Sequence, residues 1–383
     1  MPGEKIAHFW DRFKQKKLFS LFEGEVGPIT RRLERLIRIW EVLRIEEHVT
    51  FVDVGIGRPA KDRQAIARSF VAKSVLNLGT TSALIERLHV DTTLRRLCGF
   101  ERRQDIPSEA TFSRAFAEFA STGLGQRAHE ALVQQTYGEA MVGHVSRDST
   151  AIEAREKAAR KAAATQDKPL RRRGRPRKGE ASKPAAEPSR LEKQSRPGAT
   201  LEQMMADLPQ ACDTGAKQNS KGFLLTWRGY KLHLDVADTG MPLSAILTSA
   251  SVHDSQVAIP LLTMSGQRTG AVLYELMDAA YDSPLIEQAS RKAGRVPIID
   301  LNPRRDVEKQ EEQRQRALLK KLHLPLADDV RFNERSTVER ANARLKDEFG
   351  ASTLRVRGPV KAMGHLMFGV CALAADTLLR LLV

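Results

Sequence analysis

The feature that most constrains how this 383-residue chain folds is a change of pattern near residue 140. Up to about Ala140 the chain reads as helical. "TTSALIERL" and "TTLRRLCGF" are short amphipathic segments separated at Asp91, a fitting N-cap, and the second stops at Gly99. "IPSEATFSRAFAEFA" follows, with Ser108 as cap and Phe112, Ala115, Phe116 and Phe119 at helical spacing. Arg95, Arg96, Arg102, Arg103 and Arg114 lie on or beside these helices, which fits either a helix-turn-helix-like DNA reader or an ordinary bundle with a charged surface. From Phe223 onward strands appear. "FLLTWRGYKLHLDVADTGMPLSAILTSAS" gives two strands joined at "DTG". "DSQVAIPLLTMSG" is a helix, "AVLYELMDAAYDS" a buried strand running into a turn, "PLIEQASRKAG" a helix and "VPIIDLNP" a strand. This order implies an α/β domain with a mixed sheet, preceded by an all-helical region.

Charge sets the class of partner. The formal net charge is +15, and the stretch from 155 to 198 alone holds 15 Lys/Arg against five Asp/Glu, with five prolines. Such a segment has too little apolar area to fold alone and reads as a flexible basic insertion, about 155–215. Within it "RRRGRPRKG" presents Arg173-Gly174-Arg175-Pro176, then Arg177 and Lys178. Extended Arg-Gly-Arg-Pro fits a narrow A·T-rich minor groove, and the same residues also suit a non-specific polybasic linker. DNA is therefore the expected partner. A membrane is not: "LMFGVCALAADTLLRLLV" is interrupted by Asp376 and Arg380 and reads as a buried C-terminal helix. Cys98, Cys212 and Cys371 are too scattered for a disulfide framework or a zinc site, which suits a reducing cytoplasm.

Three acids stand out by position. Asp148 lies in the first strand-like run, "GHVSRDSTAIEA"; Asp278 lies where a hydrophobic strand meets a turn; Glu339 lies on the helix "NERSTVERANARLK". Carboxylates from two strands and a facing helix can converge. Hard divalent cations take such oxygen ligands, and two ions roughly 3.5–4 Å apart clamp the attacking and leaving oxygens of a phosphodiester. On the helix, Arg335, Glu339 and Lys346 share one face, beside an apolar stripe of Val338, Ala341 and Leu345. A surface i,i+4 ion pair of Arg335 and Glu339 would leave the same pattern. Among the other acids and aromatics, Asp254 is expected to cap a helix with His253 packed at the strand end. Asp213 is expected to precede a turn, Asp282 to cap the helix at Ser283-Pro284, and Trp227 to lie in the core.

Taken in order, these boxes resemble the DDE-type transposases of bacterial insertion sequences. In the group marked by a tyrosine–arginine–glutamate–lysine signature, an aromatic, two residues, Arg, three, Glu, six and Lys follow one another. Phe332, Arg335, Glu339 and Lys346 stand at that spacing. "RDSTAIEAREK" resembles the first-aspartate box and "DAAYDS" the second, while "WRGYKLHLDVADTGMPLSAILTSASVHDSQ" resembles the strands between. The resemblance implies a ribonuclease H-like catalytic domain over 141–383, interrupted by the basic insertion, behind a helical DNA-end-binding domain over 1–140. It implies Asp148, Asp278 and Glu339 as catalytic metal ligands for Mg2+ or Mn2+, two ions in all. Arg335 and Lys346 would lie on DNA, with Arg173, Arg175, Arg177 and Lys178 as further contacts. It also implies cleavage at terminal inverted repeats and transfer into target DNA, by a homodimer or larger assembly at the nucleoid. A non-catalytic repressor or architectural protein, and a structure-selective nuclease, are the rival readings. The sequence departs from the family pattern in two places. Residues 302–332 leave no room for a large β-rich insertion, and Phe332 lacks the phenolic hydroxyl.

Overall fold

The computed structural model describes residues 29–50, 61–159, 187–218, 222–303 and 306–381. The helical region comprises α1 (Arg31–Leu43), α2 (Arg63–Val75), α3 (Thr81–Val90), α4 (Thr92–Cys98), α5 (Glu109–Ser121) and α6 (Leu124–Tyr137). Its punctuation follows the sequence. Asp91 accepts from the Leu94 amide at 2.9 Å, satisfying one orphan donor of α4, and Gly99 ends that helix at a φ of 108° that a side chain would strain. Ser108 caps α5, whose Phe112, Ala115, Phe116 and Phe119 all face the core. Arg95 is buried, donating to the Leu88 carbonyl, so it is not part of a DNA-facing surface.

The second region holds β1 (Met141–Glu153), α7 (Arg190–Gln194), α8 (Leu201–Asp207), β2 (Asp213–Gln218), β3 (Leu224–Ala237), β4 (Pro242–Ser249) and α9 (Ala258–Arg268). It continues through β5 (Ala271–Met277), α10 (Pro284–Lys292), β6 (Val296–Ile299), α11 (Val307–Lys321), α12 (Ala327–Phe332), α13 (Ser336–Asp347) and α14 (Pro359–Leu381). β3 is antiparallel to β1 and β4, whereas β1, β5 and β6 run parallel. The order β4-β3-β1-β5-β6 is the mixed sheet of a ribonuclease H-like fold, with β2 pairing the first part of β3 as an addition. The hairpin expected at "DTG" is present, with Gly240 at φ 87°.

Two expectations need correcting. The basic insertion is shorter than 155–215. Ala159 donates to the Cys212 carbonyl at 2.8 Å, and from 187 the chain carries α7 and α8. Both helices open with capping boxes, Ser189 with Glu192 and Thr200 with Gln203, local start signals that the net charge had obscured. Leu191 and Leu208 anchor this segment on the sheet's second layer. Arg173, Arg175, Arg177 and Lys178 lie outside the described residues. Second, the helical region and the sheet share one core. Phe368, Cys371 and Ala374 of α14 pack among Phe70, Phe116 and Leu36, in a cluster that also takes Val142, Val145 and Val272 from the sheet. Gly364 makes this possible, since a Cβ there would come within 2.8 Å of Ala120 Cβ. α14 is long and apolar enough to cross a membrane, yet most of it is buried inside the chain, as expected for a core helix.

Candidate active site

The sheet register brings two of the acids together. Arg147 of β1 lies opposite Met277 of β5, so Asp148 and Asp278 are the next residues on adjacent parallel strands. Neighbouring strands are about 4.8 Å apart and side chains alternate, so the two aspartates share a face opposite to Arg147. Both acids stand where β5 ends and opens into the turn Ala279–Tyr281, which Asp278 itself caps by accepting from the Ala280 amide at 3.0 Å.

α13 covers the same face. Val338, Ala341 and Leu345 are buried against Leu232 and Leu234, the latter being the cross-strand partner of Asp148. Asn342, on the buried side of this helix, donates from Nδ2 to Asp148 Oδ2 at 3.4 Å. Glu339 lies one turn earlier. Its side chain is 55% exposed and ion-paired with Arg335 rather than directed into the sheet. The Arg335 guanidinium also lies 5.8 Å from the centre of the Phe332 ring.

The electrostatics mark these acids as costly to keep charged. Burial pushes the Asp148 carboxyl up to about 6, and Asp278 beside it adds to the rise, while Arg335 and Lys217 oppose it. Asp278 is raised too, by burial and then by Asp254, against the same two cations. Lys346 is lowered by burial, with Lys217 adding to that and Glu153 and Asp148 working against it. Two buried carboxylates edged by cations form a centre where an added positive charge would lower the cost of ionisation.

Comparison with known proteins now decides the family. Residues 195–375 match the Transposase DDE domain, and residues 23–118 match a further transposase domain, a pairing typical of bacterial insertion sequences. The chain belongs to the DDE transposases. No curated protein and no solved structure matches it.

The family's chemistry implies a divalent metal. The donor set fits at Asp148 and Asp278: carboxylate oxygens suit a hard cation, and an ion there would offset the cost of burial that chiefly lifts both carboxyls. It is incomplete at the third position. Among the described residues no three of His, Cys, Asp and Glu stand close enough to hold an ion, because Glu339 is engaged by Arg335.

Beneath the transposase's aspartates, on the sheet's other face, runs a charge network that no motif announced. Arg147 binds Asp235 with two hydrogen bonds, of 2.7 and 2.9 Å, and reaches Glu275 at 3.1 Å. Arg295 donates to Glu275 at 2.8 Å, and Ser290 to its other oxygen. Arg147, Asp235 and Glu275 are fully buried, and their alternation inside apolar strands was the available signal. Lys217 was likewise missed, because β2 read as a turn.

Asp254 does not cap a helix. His253 does, accepting from the Ser255 amide, and His253 is exposed rather than packed. Asp254 instead pairs with Lys231 at 2.9 Å and accepts from Ser149, which places it beside Asp278 as a fourth acid near the site. Asp213 opens β2 and accepts from Ser251 at 2.7 Å. Asp282 pairs with Lys309 at 2.7 Å, and Ser283 holds the N-cap position before Pro284. Trp227 is half-buried on the β2–β3 ribbon, donating to the Tyr230 carbonyl at 3.0 Å, and is not a core residue.

Proposed function

We propose that this transposase cleaves DNA at the ends of its insertion sequence and joins the freed 3′-hydroxyl to target DNA. Asp148, Asp278 and Glu339 would hold Mg2+ or Mn2+, two ions in all. The observation that carries this reading is the sharing of one sheet face by Asp148, Asp278 and the helix bearing Glu339, with Asn342 touching Asp148. Bound there, such ions supply an activated nucleophile and neutralise charge on the phosphodiester.

The chain's own residues do the rest. Asn342 holds the Asp148 carboxylate toward α13. Arg335 keeps Glu339 neutralised until DNA arrives and then turns to backbone phosphate, so one cation serves both states. Lys346 and Lys217 add positive potential around the acids. The helices up to residue 137 would read the terminal repeats, with exposed Arg102, Arg103 and Arg114 available for phosphate. The basic arm with Arg173, Arg175, Arg177 and Lys178 would add non-specific affinity, each neutralised phosphate contributing about −0.9 to the salt slope of log K. The setting is the cytoplasm, on nucleoid DNA, as a homodimer or larger assembly.

The test is an assay on duplexes carrying the DNA that flanks the gene, with Mg2+ or Mn2+. Nicked ends followed by joined products are expected, and D148N, D278N and E339Q should each cut cleavage by about a thousandfold or more while leaving DNA binding in place. Hydrolysed products that are never joined would identify a nuclease. Binding without cleavage in the unaltered protein would identify a repressor or architectural protein.

A further inference from the structure

One element is held to the fold by the Lys309–Asp282 ion pair but buries no side chain against it. α11 buries none of its 15 residues. The exposed apolar side chains of α11, the turn after it and α12, namely Val307, Leu318, Leu322, Leu324, Leu326 and Val330, range from 42% to 74% exposed. An isolated helix of this length is marginal in water, because most helical stability comes from packing an apolar stripe. A cluster of exposed leucines on such a helix calls for a partner.

The charges say what kind. From Asp306 to Phe332 the arm holds six Lys/Arg and six Asp/Glu, a net of zero in a chain of +15. A DNA-binding arm would be basic, so this one suits protein. Its charges are also largely sorted along the axis: Glu308, Glu311 and Glu312 lie in the first half of α11, where the one cation, Lys309, is engaged by Asp282, and Arg314, Arg316, Lys320 and Lys321 lie in the second. The helix dipole favours that order within one helix, but it gives no reason for exposed leucines. Val307, Glu311, Arg314, Leu318 and Leu322 fall on one face. Laid antiparallel on a second α11, that face sets Val307 against Leu322 of the other copy and Glu308 against its Lys321. A parallel pairing would oppose like charges. Glu308, Lys320 and Lys321 form no ion pair with any described residue, so they are available for this contact.

We propose that α11 is a self-association surface, on which a second copy of this chain docks its own α11 antiparallel about a twofold axis. The contact belongs to the small, transient class of interfaces, below about 1,200 Å². It stands independently of the catalytic reading.

Sedimentation of the full chain without DNA, over a range of concentrations, tests it. The unaltered protein should pass from monomer to dimer, and L318E/L322E should weaken self-association by about tenfold or more. Two charge-reversed proteins sharpen the test. E308K/E311K makes the first half of the helix mainly basic like the second, leaving only Glu312 acidic, and K320E/K321E puts acids at both ends, leaving Lys309, Arg314 and Arg316 as the cations. Each alone should stay monomeric, and an equimolar mixture should form heterodimers. These positions bury nothing, so loss of fold is not expected, and circular dichroism verifies it. A monomer at every concentration, unchanged dimerisation of either reversed protein, or a mixture that fails to pair would overturn the proposal. Variants that change DNA binding but not association would assign the arm to DNA and equally overturn it.

Discussion

Asn342 donates to Asp148 across 3.4 Å, and this one contact joins the helix that carries Glu339 to the strand that carries the first aspartate. Its Oδ1 is buried without a partner, so the amide is held for the sake of that donation or for a group not yet bound. N342A should lower metal-dependent cleavage about ten- to a hundredfold, the usual cost of losing a group that orients a ligand. Stability should change by only about 1 kcal/mol. N342D sets a carboxylate against a carboxylate, which raises the Asp148 pKa, so its activity should recover as pH is raised. Rates across pH for the three proteins check this, and a flat comparison between N342A and the unaltered protein would remove Asn342 from the site.

Asp148 also makes an unusual stability prediction. Its folded pKa of about 6, raised chiefly by burial, exceeds the ordinary value of an unfolded aspartate. Between about pH 4 and pH 6 the folded chain therefore holds a proton that the unfolded chain has lost, and stability falls as pH rises through that window. Above it the full cost of the buried charge is present. D148N removes that cost, so in chelator at pH 7 it should be more stable than the unaltered protein by about 2 kcal/mol, with the difference vanishing below about pH 4. Urea unfolding at the two pH values measures it. A D148N protein less stable at pH 7 would show that the carboxylate is at ease in its pocket.

Arg335 is the cation common to all three acids. It pairs with Glu339 and depresses both aspartyl carboxyls. If it moves to phosphate when DNA binds, R335Q should weaken DNA binding about equally on all sequences and reduce the salt slope of log K by about 0.9. Binding isotherms at several salt concentrations give the slope. An unchanged slope would confine Arg335 to its pair with Glu339.

Much of this was legible in the order of residues. The DTG hairpin, the caps at Asp91 and Ser108 and the apolar stripe Val338-Ala341-Leu345 are local signals, and each produced the expected element. The nearness of Asp148 to Asp278 was readable because Asp148 lies in a strand-like run and Asp278 ends an apolar one. Tertiary features were not readable. Arg147, Asp235 and Glu275 carry charges into strands that only the register brings side by side. Asp254 looked like a cap because the residue that does cap, His253, is an uncommon one. Charge misled at 187–215, where capping boxes outweigh a basic composition. The Arg335–Glu339 pair was foreseen only as the bland reading of that spacing, and it is the geometry the helix adopts.

The network under the aspartates gives the last prediction. Arg147 and Met277, the residues just before Asp148 and Asp278, are tied to each other by the Arg147 Nη1–Met277 Sδ contact of 3.3 Å. Replacing Arg147 by Met leaves Asp235 buried and uncompensated, while Glu275 keeps Arg295 and Ser290. Breaking a buried pair on one side costs about 3–5 kcal/mol, so R147M should unfold at much lower denaturant. Removing both charges in R147M/D235L eliminates the orphaned ion and should restore at least half of that loss. If the network serves stability, the double variant should also recover most of its cleavage. If the guanidinium itself sets the backbone at Asp148 and Asp278, the double variant should fold yet cleave poorly. Denaturant midpoints and cleavage rates on the same three proteins separate the two roles. A stable R147M single variant would show that water or a neighbouring cation satisfies Asp235 unaided.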